Sequence, residues 1–149
     1  MKEVSIYIAS SIKGTWEKDG FIGFTLEYYP PDQKNPRTRK PEYIEVRKAT
    51  ANRAELLALI EALSHMTQAC SLTIYTENSY IHTGADNLAK WKSAGWLTSK
   101  GAEVKNRDLW EKVDKLLHGH LWRVLLKEPN AYTRALEIEL EERERMKAR

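Results

Sequence analysis

Residues 50–77 set the tightest constraint on how this chain folds. From Thr50, a residue suited to capping a helix, the apolar side chains Leu56, Leu57, Leu59, Ile60 and Leu63 recur at helical spacing, so one side of a helix must be buried. A short apolar strand, Ser71–Glu77, follows it. Near the start of the chain Val4, Ile6 and Ile8 alternate with Ser5 and Tyr7, the period of a strand with one face more buried than the other, ending near Ala9. A strand, a helix and a second strand in this order predict a crossover connection and parallel pairing of the two strands.

Between the first strand and the helix lie two more extended stretches. Gly20–Tyr29 is rich in Phe, Ile, Thr and Tyr, and Glu42–Lys48 alternates again. Pro30-Pro31-Asp32 breaks the first of them, and the segment to Pro41 has no apolar period, so it reads as a solvent-facing loop. Three early strands in sequence suggest an antiparallel meander. After the crossover, Asn78–Gly84 and Asp86–Ala94 read as short helices, and Asn106–His118 as an amphipathic one carrying Leu109, Trp110, Val113, Leu116 and Leu117. Leu121–Lys127 is the expected fifth strand. Asn130–Met146 is the expected terminal helix, its apolar side drawn from Ala131, Ala135, Ile138, Leu136 and Leu140. With 149 residues this makes one expected α/β domain, 1–149.

Composition narrows the function classes. The chain is 42% hydrophobic, with no run approaching the ~18 apolar residues of a membrane span, so no membrane partner is expected. A single cysteine, Cys70, excludes an intrachain disulfide framework and fits a reducing, cytoplasmic location. His65, His82, His118 and His120 lack zinc-site spacing, and His118-Gly119-His120 reads as a helix end. The net charge of +3 is small, but Lys34, Arg37, Arg39, Lys40, Arg47 and Lys48 crowd one early segment, either a solvated loop or a binding surface.

Two carboxylates stand out against this background. Glu55 lies one turn into the helix that starts after Thr50, and Glu77 closes the following strand, so both point to one edge of the sheet. A metal-dependent phosphodiesterase needs a cluster of such oxygen donors there.

The order of elements resembles the ribonuclease H fold, and local motifs strengthen the likeness. Thr-x-Asn-Arg-x-Glu-Leu at Thr50–Leu56 looks like that family's first-helix motif, with the catalytic glutamate at Glu55. Ile74-Tyr75-Thr76-Glu77-Asn78-Ser79-Tyr80 is similar to the strand that ends in Thr-Asp-Ser-x-Tyr, which places Glu77 where an aspartate is usual. Trp91-Lys92, Gly95-Trp96 and Val104–Trp110 follow the spacing of the family's basic handle and the helix after it. The resemblance implies a five-stranded mixed sheet, three strands antiparallel and two further ones parallel, flanked by helices.

It also implies a chemistry. Ribonuclease H enzymes hydrolyse the RNA strand of an RNA/DNA hybrid with two Mg2+ ions held by carboxylates. Here Ile8-Ala9-Ser10-Ser11 stands where the family's first strand ends in Thr-Asp-Gly-Ser, so Ala9 replaces the ligand that both metals share. Arg134 stands where the last family aspartate is expected, and Lys127-Glu128-Pro129-Asn130 has no counterpart of a family histidine. The remnant metal ligands are Glu55 and Glu77. Arg134 either pairs with one of them as a permanent counterion or points to solvent. Glu137 rescues the site if the terminal helix is shifted by one turn, and Asp19 or Glu17 are further candidates from the first loop.

Nucleic-acid contacts are implied for Thr50, Asn52 and Asn78, and along the handle for Trp91, Lys92, Trp96, Lys100 and Lys105. Against this stands a structural reading in which Trp91, Trp96 and Trp110 pack the core and Asn52 braces its helix. Three functions follow. The first is a catalytically impaired domain that binds RNA/DNA hybrid or other duplex. The second is an active Mg2+-dependent ribonuclease with a rearranged ligand set. The third is a scaffold for a protein partner, with no cofactor.

Overall fold

The computed structural model describes residues 1–31 and 35–148; Asp32 of the expected break and Lys34 of the basic segment lie outside them. Strands β1 (Lys2–Ser10), β2 (Lys18–Tyr29) and β4 (Glu42–Ala49) form the antiparallel meander, and β5 (Cys70–Thr76) and β6 (Leu121–Leu126) extend it in parallel on the other side of β1. A two-residue strand, β3 (Arg37–Thr38), adds a sixth member in the expected loop, pairing with Tyr28 and Glu27 of β2. Because β4 pairs with Lys18–Phe24, β3 and β4 lie end to end along one edge of β2.

The pleat of β1 sorts the helices. Val4, Ile6 and Ile8 face one core with α1 (Ala51–Leu63), α2 (Ser79–Ser93) and α3 (Arg107–Leu117). Tyr7 and Ala9, one residue out of phase, face a smaller core with Leu136 and Leu140 of α4 (Thr133–Lys147). In α1 the expected apolar row buries Leu56, Leu59 and Leu63 while Leu57 and Ile60 stay half-buried, and Thr50 caps the helix by accepting from the Arg53 amide at 3.2 Å. Each leucine buried this way contributes roughly 1.5–3 kcal/mol over leaving it in water.

Two expectations need correction. Asn78–Gly84 and Asp86–Ala94 are not separate helices but one, α2, capped by the Asn78 side chain, which accepts from the Tyr80 and Ile81 amides. Gly84 is there for close approach, not for a break: a Cβ on it would lie 2.1 Å from the buried Trp110 ring. In α4 the buried stripe is only Leu136 and Leu140 with Thr133, whereas Ala131, Ala135 and Ile138 are exposed. The helix meets the sheet over Tyr7 and Ala9, and a contact that narrow needs one i, i+4 pair rather than a broad apolar face.

Among the described residues no helix is long and apolar enough to cross a membrane.

Candidate carboxylate site and nucleic-acid interface

Parallel pairing brings the ends of β1 and β5 to the same edge of the sheet, and the first turns of α1 and α2 close over it. The result is a cavity of about 260 Å³ whose lining includes Ala9, Lys13, Glu55, Glu77 and Glu137. Glu55 and Glu77 therefore do meet, and α4 delivers Glu137 to the same space.

The three carboxylates differ in their surroundings. Glu55 is 6% exposed and accepts one hydrogen bond, from Thr76 Oγ1 at 3.0 Å. Burial raises its pKa to about 7, against the lowering effects of the Thr76 hydrogen bond and the Lys13 ammonium; Glu77 and Glu137 push it further up. Glu77 is exposed and Glu137 half-buried.

Arg134 is not a counterion of Glu55 or Glu77. Its side chain is 72% exposed, and its guanidinium lies 3.9 Å from both Glu137 and Glu141. Pairs that long and exposed contribute little. The cationic side chain that lines the cavity is Lys13 instead. Asp19 is engaged elsewhere, accepting from the Lys48 amide at 3.0 Å, and neither it nor Glu17 lines the cavity. Ala9 is buried against Leu136 and Leu140, so α4 packs on its methyl group where a charged ligand would have to be solvated or bound. Among the described residues, no three carboxylate, imidazole or thiol groups converge closely enough to hold a metal ion.

Beside this cavity Thr50, Asn52, Lys105, Asn106 and Gly14 line a second hollow of about 270 Å³. Asn52 Oδ1 accepts from Asn78 Nδ2 at 3.2 Å, so these two carboxamides fix each other. Behind them is a network that the sequence did not announce. Arg53 grips Asp108 with two hydrogen bonds of 3.0 and 2.9 Å and also reaches Asn106, while Tyr80 Oη receives Asn106 Nδ2 and Trp110 Nε1, both at 3.0 Å. Only opposite charge on two distant helices hinted at Arg53 and Asp108.

The handle is partly corrected. Trp96 is 8% exposed and belongs to the core, held with a positive φ in the turn after α2, so it offers no face for a base to stack on. Trp91 is half-buried edge-on to Trp110, ring centroids 5.6 Å apart. Lys92 pairs with Asp114 at 3.1 Å, and Lys100 and Lys105 are exposed.

A second buried carboxylate, Glu27, also escaped the sequence reading. It accepts from Tyr7 Oη at 3.0 Å, from Tyr132 Oη at 2.6 Å and from Tyr29 Oη. Thr38 Oγ1 lies 2.9 Å from Tyr132 Oη and, with that phenol's proton committed to Glu27, serves as the donor. Its one signal was an acid inside an otherwise apolar and aromatic strand.

Comparison with known proteins bears on this arrangement. The sequence profile of the family RNase H matches residues 1–124. A ribonuclease H of Francisella tularensis subsp. novicida is 42% identical over 82 residues, 54% of this chain and 54% of that protein. A ribonuclease H of Francisella philomiragia is 44% identical over 72 residues, 48% of this chain and 47% of its own length. The chain thus spans about half the length of the curated relatives it matches. Among solved structures, LC9-RNase H1, described as a type 1 RNase H with the type 2 active-site motif, superposes with a TM-score of 0.71 at 22% identity, covering 95% of this chain and 70% of that one. LC11-RNase H1, solved in complex with an RNA/DNA hybrid, gives 0.54 at 18% identity over 95% and 99%. At those identities the structures speak for the fold alone.

An antiparallel meander continued by parallel strands, with a carboxylate-lined cavity at the strand ends, defines an α/β protein of mixed-sheet type. The profile match makes it specific: the chain belongs to the ribonuclease H family.

Proposed function

We propose that residues 1–149 form one ribonuclease H-type domain that binds duplex nucleic acid, RNA/DNA hybrid first, and that its hydrolytic chemistry is impaired. The observation that carries this reading is Ala9, packed under α4 at the position where the family resemblance implies a shared metal ligand, beside a Glu55 whose carboxyl is raised toward neutrality. The donors do not fit a pair of Mg2+ ions. Two ions about 3.5–4 Å apart need a bridging carboxylate and flanking ones. Ala9 supplies no oxygen, and Lys13 brings positive charge into the same cavity.

Binding is supported by the hollow lined by Thr50, Asn52 and Lys105, with the Asn78 carboxamide fixed to Asn52 and Lys100 exposed on the surface. Contacts of this kind to backbone and minor groove give salt-dependent affinity with little sequence preference. A cytoplasmic location fits the single free cysteine.

Glu137 favours a second reading, Mg2+-dependent hydrolysis with Glu55, Glu77 and Glu137 as a rearranged set, since it lines the same cavity. A fluorescent RNA/DNA hybrid separates the two. Retention that weakens with salt, without cleavage in Mg2+ or Mn2+, is the expected result. Cleavage by the unaltered chain selects the second reading, and neither retention nor cleavage selects a protein-interaction scaffold. Ala9→Asp is expected to raise hybrid cleavage ~10-fold or more, about 1.4 kcal/mol of barrier.

A further inference from the structure

Among the described residues of the basic segment noted in the sequence, none lines the carboxylate cavity. Arg37 opens β3 and Arg39 follows it, and both lie near the start of β1, whereas the carboxylate cavity lies at its end. Lys2 and Ala9 are seven residues apart on one strand, about 23 Å at the usual rise.

At the Lys2 end is a separate cavity of about 340 Å³, at the small end of the ~300–1,000 Å³ typical of ligand pockets. Its lining combines two chemistries. Lys2, Arg37 and Arg39 supply permanent positive charge, while Leu26, Tyr28 and Met66 supply apolar and aromatic surface. Among the described residues none of its lining side chains is acidic. Glu42, beside the lining residues Arg39 and His65, is already engaged by them, at 2.8 and 3.6 Å, and the Arg39 hydrogen bond holds its carboxyl below the usual range. The Lys2 ammonium lies 4.4 Å from the centre of the Tyr28 ring, so charge and ring are already adjacent.

We propose that this cavity is a binding site for a compact organic anion with an aromatic or otherwise flat apolar body. The body lies against Tyr28, Leu26 and Met66, and the carboxylate, sulfonate or phosphate head meets Lys2 and Arg37. An uncharged molecule of the same shape leaves the cations unpaired, and a bare inorganic anion leaves the apolar floor wet, so neither partial match gains both contributions.

The test is a 1H–15N NMR titration of the intact chain with naphthalene-1-sulfonate, run beside naphthalene-1-methanol and inorganic sulfate. Saturable shifts at the Met66, Gln68 and Cys70 amides are expected with the sulfonate, and binding ~10-fold weaker or more with either control. A Lys2→Ala, Arg37→Ala double variant should weaken the sulfonate by ~10-fold while hybrid retention stays unchanged. No saturable shift, equal binding of the uncharged analogue, or indifference to the double variant would each overturn the site.

Discussion

Glu27 and Glu55 are both 6% exposed, one on each face of the same sheet, and they illustrate opposite ways to bury a carboxylate. Burial alone would raise Glu27, but hydrogen bonds from Tyr132, Tyr29 and Tyr7 outweigh it and hold its carboxyl below the ordinary value. Glu55 has one hydroxyl and a distant ammonium, and burial wins. The same residue type is thus a completed structural joint in one place and an under-coordinated acid in the other. A carboxylate left short of donors in a cavity is where external positive charge or a hydrogen-bond donor gains most.

The largest expected effect is on the completed joint. Glu27→Ala removes the shared acceptor of three phenols, among them the buried Tyr7, whose ring stacks on Tyr75 and lies tilted against Tyr132, and should cost about 4 kcal/mol in urea unfolding. A cost below that of Glu55→Ala would break the comparison.

Next comes the pH behaviour of Glu55. Its folded pKa lies above its unfolded value, so between about pH 4.5 and 7 the folded state holds the extra proton and stability falls as pH rises. Glu55→Gln should therefore stabilise the protein by roughly 2–3 kcal/mol at pH 8 and leave it unchanged at pH 4. Thermal melts of both chains across that range give the difference directly, and a constant offset would sink the assignment. For Glu27 the sign is reversed: its contribution is present above the unfolded pKa and is lost as acid brings the pH down through the folded value.

A smaller effect, about 1 kcal/mol, is expected for Tyr132→Phe, which removes one phenolic donor and leaves ring packing in place. The smallest belongs to Glu77→Gln. Exposed in the bend after β5, it should change stability by less than ~0.5 kcal/mol, so any larger loss of hybrid retention would report on binding and not on folding.

How much of this was legible in sequence depends on how far apart the partners are. Glu55 was readable because Thr50, Asn52 and Glu55 form a local motif on one helix start, and Glu77 because it ends the strand that follows. Arg134 was placed near the carboxylates by the family resemblance, but α4 contacts the sheet through Leu136 and Leu140, with Arg134 exposed and Glu137 lining the cavity. Trp96 looked like part of an exposed handle, but the turn after α2 folds it inward.

The sequence by itself determined the five longer strands, the helices α1 and α3 and the crossover, because these follow from short-range periodicity. Tertiary structure alone decided that α2 runs unbroken past Gly84, that Glu137 and Lys13 share a cavity with Glu55, and that three tyrosines from β1, β2 and the start of α4 meet on Glu27. Those outcomes depend on which helix face the sheet accepts, and that is set by packing between residues far apart in the chain.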